Sequence, residues 1–150
     1  MSLPTAPGRR PAVTVITAVR NGAATLGRTL ASVRDQTWPD VEHVVVDGAS
    51  TDGTLDLVRS AGPAVRCLSE PDRGLYDAMN KGLARVPDPE RYVVFLNADD
   101  TFAGPDAVER VMRASSGEDL LYGRLERFDE PLDYRDTIGR EVTSHDLVLA

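Results

Sequence analysis

Four short runs of β-branched and apolar residues recur along the chain, and each is followed by a segment whose apolar residues fall at helical spacing. The runs are Ala12–Val19 (AVTVITAV), Val41–Asp47 (VEHVVVD), Ala64–Ser69 and Arg91–Leu96. Val44–Val46 is an unbroken apolar stretch, as expected of a strand covered on both faces. After the first run, Leu26, Leu30 and Val33 predict a helix over Ala23–Asp35. After the second, Ser50, Thr51 and Asp52 are candidates to cap a short helix that begins with Leu55 and Val58. After the third, Leu75, Met79 and Leu83 at i, i+4 and i+8 predict a helix over Leu75–Arg85 with an apolar stripe. After the fourth, Gly104-Pro105 opens a helix with proline in its first turn, and Val108, Val111 and Met112 form its buried face. Asp119–Arg127 is strand-like, and Phe128-Asp129-Glu130-Pro131 reads as a hairpin turn into Leu132–Arg135.

Such alternation implies an α/β fold: a mostly parallel, Rossmann-like sheet with helices on both faces, here ending in a β-hairpin. A chain of 150 residues is long enough for one domain with a full core. The Pro-rich segment 1–11 is expected to be a disordered lead-in, with residues 12–150 forming the domain. The net charge of −7 and the lack of a basic stripe argue against a nucleic-acid partner. A single nucleotide can still bind where a divalent cation cancels the local charge. The one cysteine, Cys67, permits no internal disulfide and, lying in the apolar run AVRCL, is expected in the core. No segment is as long as a membrane-spanning helix, and the N-terminus lacks the apolar stretch of a signal peptide.

Ligands of parallel α/β sheets bind beyond the carboxyl ends of the strands. Polar clusters fall at four such ends: Thr17–Asn21, Asp47–Asp52, Glu70–Arg73 and Asn97–Asp100. The last is the most pointed, because YVVFLNADD runs an apolar strand into Asn97, Ala98 and the adjacent carboxylates Asp99 and Asp100. Hard oxygen ligands there suit Mg²⁺ or Mn²⁺ held against a diphosphate. The structural alternative is an acidic turn that caps the following helix. Asp47 can accept hydrogen bonds from a nucleobase N–H or a ribose hydroxyl. Neither GxGxxG nor GxxxxGK[ST] follows the first strand, which argues against a dinucleotide site and a P-loop. Arg73 can fork onto a phosphate or stack on a base, and Lys81 can act as a point charge on a diphosphate, with plain solvation as the alternative. Asp52 reads best as a helix cap, Tyr76 and Met79 as packing residues, and His43 as a satisfied structural histidine within a strand.

Three segments, Val13–Trp38, Val41–Thr54 and Glu70–Asp100, together resemble the nucleotide-sugar-binding half of family 2 glycosyltransferases, which have the GT-A fold. The resemblance implies transfer of a sugar from a nucleotide-diphosphate-sugar to a saccharide or lipid-linked acceptor, with inversion and with a divalent metal on the pyrophosphate. It matches Asp47 to the base-contacting residue. Thr17, Val19 and Asn21 match the first nucleotide-contacting loop, partly through backbone groups. Asp99 matches the metal-contacting acid, with Asn97 and Asp100 beside it. Asn97 stands where the family's DXD-type motif often begins with Asp. The family's catalytic base lies in an acceptor-binding half, so the base is expected beyond Ala150. Bacterial relatives imply a cytoplasmic location, peripheral to the inner face of the membrane. An apolar edge left without the acceptor half would pair two copies into a homo-oligomer. Two other readings compete: a non-catalytic nucleotide-binding module and a nucleotidyltransferase. The latter needs a Gly/Arg/Lys-rich loop after the first strand, of which Ala18–Gly22 is a poor version.

Overall fold

The computed structural model describes residues 12–86, 88–118, 125–129 and 134–138. The predicted alternation is present: β1 (Val13–Val19), α1 (Leu26–Arg34), β2 (Val41–Asp47), α2 (Thr54–Ser60), β3 (Val65–Ser69), α3 (Leu75–Leu83), β4 (Tyr92–Phe95) and α4 (Ala107–Ala114). β5 (Leu125–Asp129) and β6 (Tyr134–Ile138) then form an antiparallel pair. The first four strands make one parallel sheet in the order β3-β2-β1-β4. β1 is central, pairing from Val13↔Val41 to Val19↔Asp47 on one side and from Val13↔Tyr92 to Ile16↔Phe95 on the other.

Because β1 is covered on both faces, six of its seven residues are buried. Its odd-numbered positions face α1, α2 and α4. Val19 packs with Leu26, Leu30, Val45 and Val58, while Val13 packs with Trp38, Val108 and Met112. The other face belongs to α3: Ile16, Val44 and Val46 cluster with Ala78. Helices therefore lie on both faces, as predicted. No helix among the described residues is long and apolar enough to cross a membrane.

Four expectations change. The predicted stripe of α3 is not its buried face: Leu75 and Leu83 are 46% and 41% exposed, while Ala78 and Gly82, at i and i+4, are buried. A Cβ at Gly82 would overlap Ile16 Cγ2 and stand 3.4 Å from Val46 Cγ2. The helix approaches the sheet so closely that only its small residues fit beneath it. Tyr76, expected to pack, is accordingly turned outward and is 80% exposed. Cys67 is exposed rather than in the core, because β3 is an edge strand that alternates poorly between covered faces. The antiparallel pair is present, but Phe128 and Asp129 belong to β5 and not to the turn; Tyr134 and Arg135 of the expected returning strand lie in β6, and Leu132 and Asp133 lie outside the described residues. The segment 1–11, expected to be disordered, lies outside the described residues.

The sheet's amino end is closed by Arg91, whose side chain is 11% exposed. Its guanidinium donates to Thr14 Oγ1 (2.9 Å), the Val13 carbonyl (3.0 Å) and Asp40 Oδ1 (3.2 Å), with Glu42 also within ion-pair range.

Candidate functional site at the carboxyl edge of the sheet

The strand order reverses at β1: β2 and β3 lie to one side and β4 to the other. A crevice at such a switch point, outside the carboxyl ends, is where this architecture takes ligands. Gly22 marks it. A Cβ there would stand 2.5 Å from Val19 Cγ2 and 3.7 Å from Ala98 Cβ, so glycine lets the loop after β1 close against the loop after β4.

The loops after β1 and β2 are bonded into one piece. The backbone N–H groups of Asn21, Gly22 and Ala23 donate to Ser50 Oγ (2.8 Å), Thr54 Oγ1 (3.0 Å) and Asp52 Oδ2 (3.0 Å). In return the Thr51 N–H donates to Asn21 Oδ1 (2.9 Å), and the Gly48 N–H donates to the Val19 carbonyl (2.8 Å). Asn21 and Ala49 both hold left-handed backbone, with φ of 51° and 57°, a strain the surrounding bonds stabilise. The N-cap of α2 is Gly53, not the expected Asp52, which stands one residue earlier; Asp52 still accepts the Thr54 N–H at 3.1 Å and so ties the start of the helix to the neighbouring loop. The Thr54 hydroxyl, followed by the Ala23 N–H, holds the Asp52 carboxyl below its ordinary value.

Asp47, the last residue of β2, is fully buried. Its Oδ2 accepts from the Ser69 hydroxyl at 2.7 Å and from the Ser50 N–H at 3.1 Å. Its Oδ1 is buried and has no hydrogen-bond partner among the described residues. Buried carboxylate oxygens are normally bonded, so an unmatched acceptor at a ligand-binding edge points to a donor from outside the chain. Beside it, Gly48 lacks the Cβ that would overlap the carboxylate of Asp72, and Asp72 in turn accepts the Gly74 N–H at 2.9 Å.

Thr17 and Val19 do not present side chains to this edge. Thr17 is fully buried and shares a 2.9 Å hydrogen bond with His43 Nε2 inside the sheet layer. Val19 is core, and its carbonyl is already taken by Gly48. His43 is only half satisfied among the described residues, because its buried Nδ1 finds no partner there. Burial pushes its pKa down to about 4.

Of the two predicted cations, Arg73 stands just before α3 and Lys81 in its last turn. Lys81 Nζ donates to the Pro71 carbonyl (2.7 Å) and pairs with Glu70 (3.0 Å) and Asp77 (3.3 Å). The Glu70 carboxylate chiefly raises its pKa. Lys81 thus braces the loop after β3. The Arg73 side chain is 91% exposed and, among the described residues, makes one long contact, 3.4 Å, to Asp77, which also accepts the Arg73 backbone N–H at 3.0 Å.

Asp99 and Asp100 are exposed and adjacent at the end of β4, and the Asp100 N–H closes a turn onto the Asn97 carbonyl at 3.1 Å. The fully buried Thr29 of α1 steadies that turn, its hydroxyl lying 3.0 Å from the Ala98 carbonyl and 2.8 Å from the Asp100 carbonyl. Burial, and then the charge of Asp99, raise the Asp100 carboxyl above its ordinary value. Two like charges held together favour a cation between them. Among the described residues no group of three or more His, Cys, Asp or Glu surrounds a single point. The pair therefore suits a cation that takes its remaining ligands from water and a bound diphosphate, the usual habit of Mg²⁺.

Against this geometry, comparison with known proteins is decisive for the family. The model of "Glycosyl transferase family 2" matches residues 14–146. The chain belongs to that family. An uncharacterized glycosyltransferase of Mycobacterium tuberculosis is 40% identical over 151 residues, covering 90% of this chain and 56% of the relative. A PGL/p-HBAD biosynthesis glycosyltransferase of Mycobacterium bovis is 38% identical over 121 residues, covering 75% of this chain and 46% of the relative. This family 2 chain thus spans about half the length of the curated relatives it matches. Among solved structures, the mannosyltransferase PcManGT from Pyrobaculum calidifontis, in complex with GDP-Man and Mn²⁺, superposes with a TM-score of 0.64 at 32% identity. The superposition covers 73% of this chain and 34% of that one. The GT-A-type parallel fold is shared with it.

One residue of the site escaped the sequence reading. Ser69 closes β3 directly opposite Asp47 in the register, whereas the polar cluster expected after that strand begins at Glu70. Only the pairing of β2 with β3 makes its role visible.

Proposed function

We propose that the chain binds a nucleotide-diphosphate-sugar across the carboxyl edge of its sheet and serves as the donor side of an inverting glycosyltransferase acting on a saccharide or lipid-linked acceptor. The observation that carries the reading is the unmatched, buried Asp47 Oδ1, two strands away from the Asp99–Asp100 pair. Two strand spacings are about 10 Å, a span that suits a base at one end and a diphosphate at the other. Asp47 would accept a base N–H, and Asn21 and the rigid loops around it would line the nucleoside. Because Oδ1 is covered in the free protein, binding requires the groups over it to part.

Asp99 and Asp100, with Asn97 beside them, would hold a divalent cation, which when bound supplies charge stabilisation for the departing diphosphate. Arg73 has the freedom to add its guanidinium to the same phosphates, and Lys81 would keep the loop that carries it in place. In the transfer, the acceptor oxygen bonds to the anomeric carbon as the bond from that carbon to the diphosphate oxygen breaks, and the electron pair leaves with the nucleoside diphosphate. The acceptor's proton passes to a general base outside the residues named here. PcManGT, with its GDP-Man and Mn²⁺, supports both the donor class and the cation.

Calorimetry with UDP, GDP and their sugars, in Mn²⁺ and then in EDTA, tests the proposal. Binding that needs the metal and is lost in both Asp47→Ala and Asp99→Ala is expected. Unchanged affinity in both variants would overturn the assignment.

A further inference from the structure

Asp47 ends in a soft torsion, since the terminal χ angle of an aspartate is broad and two-fold. A carboxylate that is to offer one particular oxygen to a ligand must be held against that rotation. Here the hold is lopsided. Among the described residues Oδ2 takes two donors, the Ser69 hydroxyl at 2.7 Å and the Ser50 N–H at 3.1 Å, and Oδ1 takes none. The Ser50 N–H is a backbone group three residues on, part of the turn that leaves β2. Ser69 is different: it is an exposed residue on the edge strand, held opposite Asp47 by the β2–β3 register, with the Glu70 N–H bonded to the Asp47 carbonyl at 3.0 Å. Its hydroxyl is neither core nor cap.

We infer that Ser69 is a positioning residue for nucleotide recognition: its hydroxyl fixes the Asp47 carboxylate with Oδ2 occupied and Oδ1 as the single acceptor for a donor on the nucleobase. This rests on the proposed donor-binding reading and goes beyond it by assigning base recognition to a pair of residues on adjacent strands. The hydroxyl acts before the ligand arrives, so that base binding costs no reorientation of the acid. It also shields Oδ2, leaving the ligand one acceptor geometry instead of two.

Calorimetric titration of the whole chain with UDP, GDP and inorganic pyrophosphate in Mn²⁺ tests it, using wild type, Asp47→Ala, Ser69→Ala and Ser69→Thr. Ser69→Ala is expected to weaken the preferred nucleoside diphosphate by about tenfold or more, the scale of a hydrogen bond to a charged group. Pyrophosphate affinity should stay unchanged, and Ser69→Thr, which keeps the hydroxyl, should restore nucleotide binding. A loss shared equally by pyrophosphate, or one that threonine does not repair, would mark a merely structural role and overturn the inference. If wild type binds and Asp47→Ala does not, but Ser69→Ala binds like wild type, this inference falls and the donor-site reading stands. If wild type binds neither nucleotide, both fall.

Discussion

Between pH 6.5 and 4 the fold is expected to lose about 3 kcal/mol of stability through one side chain, His43. Its imidazole lies in the sheet, 4% exposed, with Thr17 as its one hydrogen-bond partner among the described residues. Burial lowers its pKa from 6.5 to about 4. In the unfolded chain the imidazole takes up a proton near 6.5, whereas in the folded chain it resists until about 4. In that window the unfolded state binds more protons, so stability falls as the pH falls. The contribution is complete above 6.5, and below about 4 no more is lost. The gap between those two values, at about 1.4 kcal/mol per pH unit, amounts to about 3 kcal/mol. Urea unfolding across this range, with wild type and His43→Gln side by side, isolates the effect, because the carboxylates titrate in both. Wild type should fall toward or below the variant as acid is added, the gap changing by about 3 kcal/mol. A difference that stays flat, or an NMR titration placing His43 near 6.5, would refute the reasoning.

Three further outcomes follow from the packing. Gly82→Ala should destabilise by about 1–2 kcal/mol in urea, because overpacking against Ile16 outweighs the gain in helix propensity; a neutral or stabilising result would show that α3 can back away from the sheet. Thr29→Val keeps the shape but strips the hydroxyl from the carbonyls of Ala98 and Asp100, costing about 1–3 kcal/mol and speeding amide exchange in residues 97–101. Arg91→Met should cost about 2 kcal/mol or more at the opposite end of the sheet, since it leaves the Val13 carbonyl and Asp40 without the guanidinium, while Glu42 keeps Arg66; nucleotide affinity measured by calorimetry should stay at the wild-type value.

The parallel sheet was legible because its strands are buried on both faces, which writes continuous apolar runs such as Val44–Val46 into the chain. Asp47 and the Asn97–Asp100 cluster were legible for the same reason: they are polar residues placed where such runs stop. Helix α3 was harder. Apolar periodicity favours its largest residues as the buried face, but close contact with a sheet selects the smallest, so Ala78 and Gly82 went unnoticed beside Leu75 and Leu83. Cys67 misled because an apolar run does not say whether its strand is central or at the edge. The burial of Thr17 and the role of Ser69 depend on partners 26 and 22 residues away, and contacts of that kind appear only once the register is known.

The unequal pairing of β1 bears on how the chain reaches its fold. β1 meets β2 along seven residue pairs, starting from Val13↔Val41, but it meets β4 along only four, starting from Val13↔Tyr92. The second contact closes a much longer loop for less pairing, so it carries the larger entropic cost and the slower step. The half of the crevice that holds Asp47 should thus form early with β1–β2–β3. The half that holds Asp99 and Asp100 arrives only when β4 docks. A ligand that bridges the two would act as a clamp across the last seam to close, and its binding would slow the first step of unfolding.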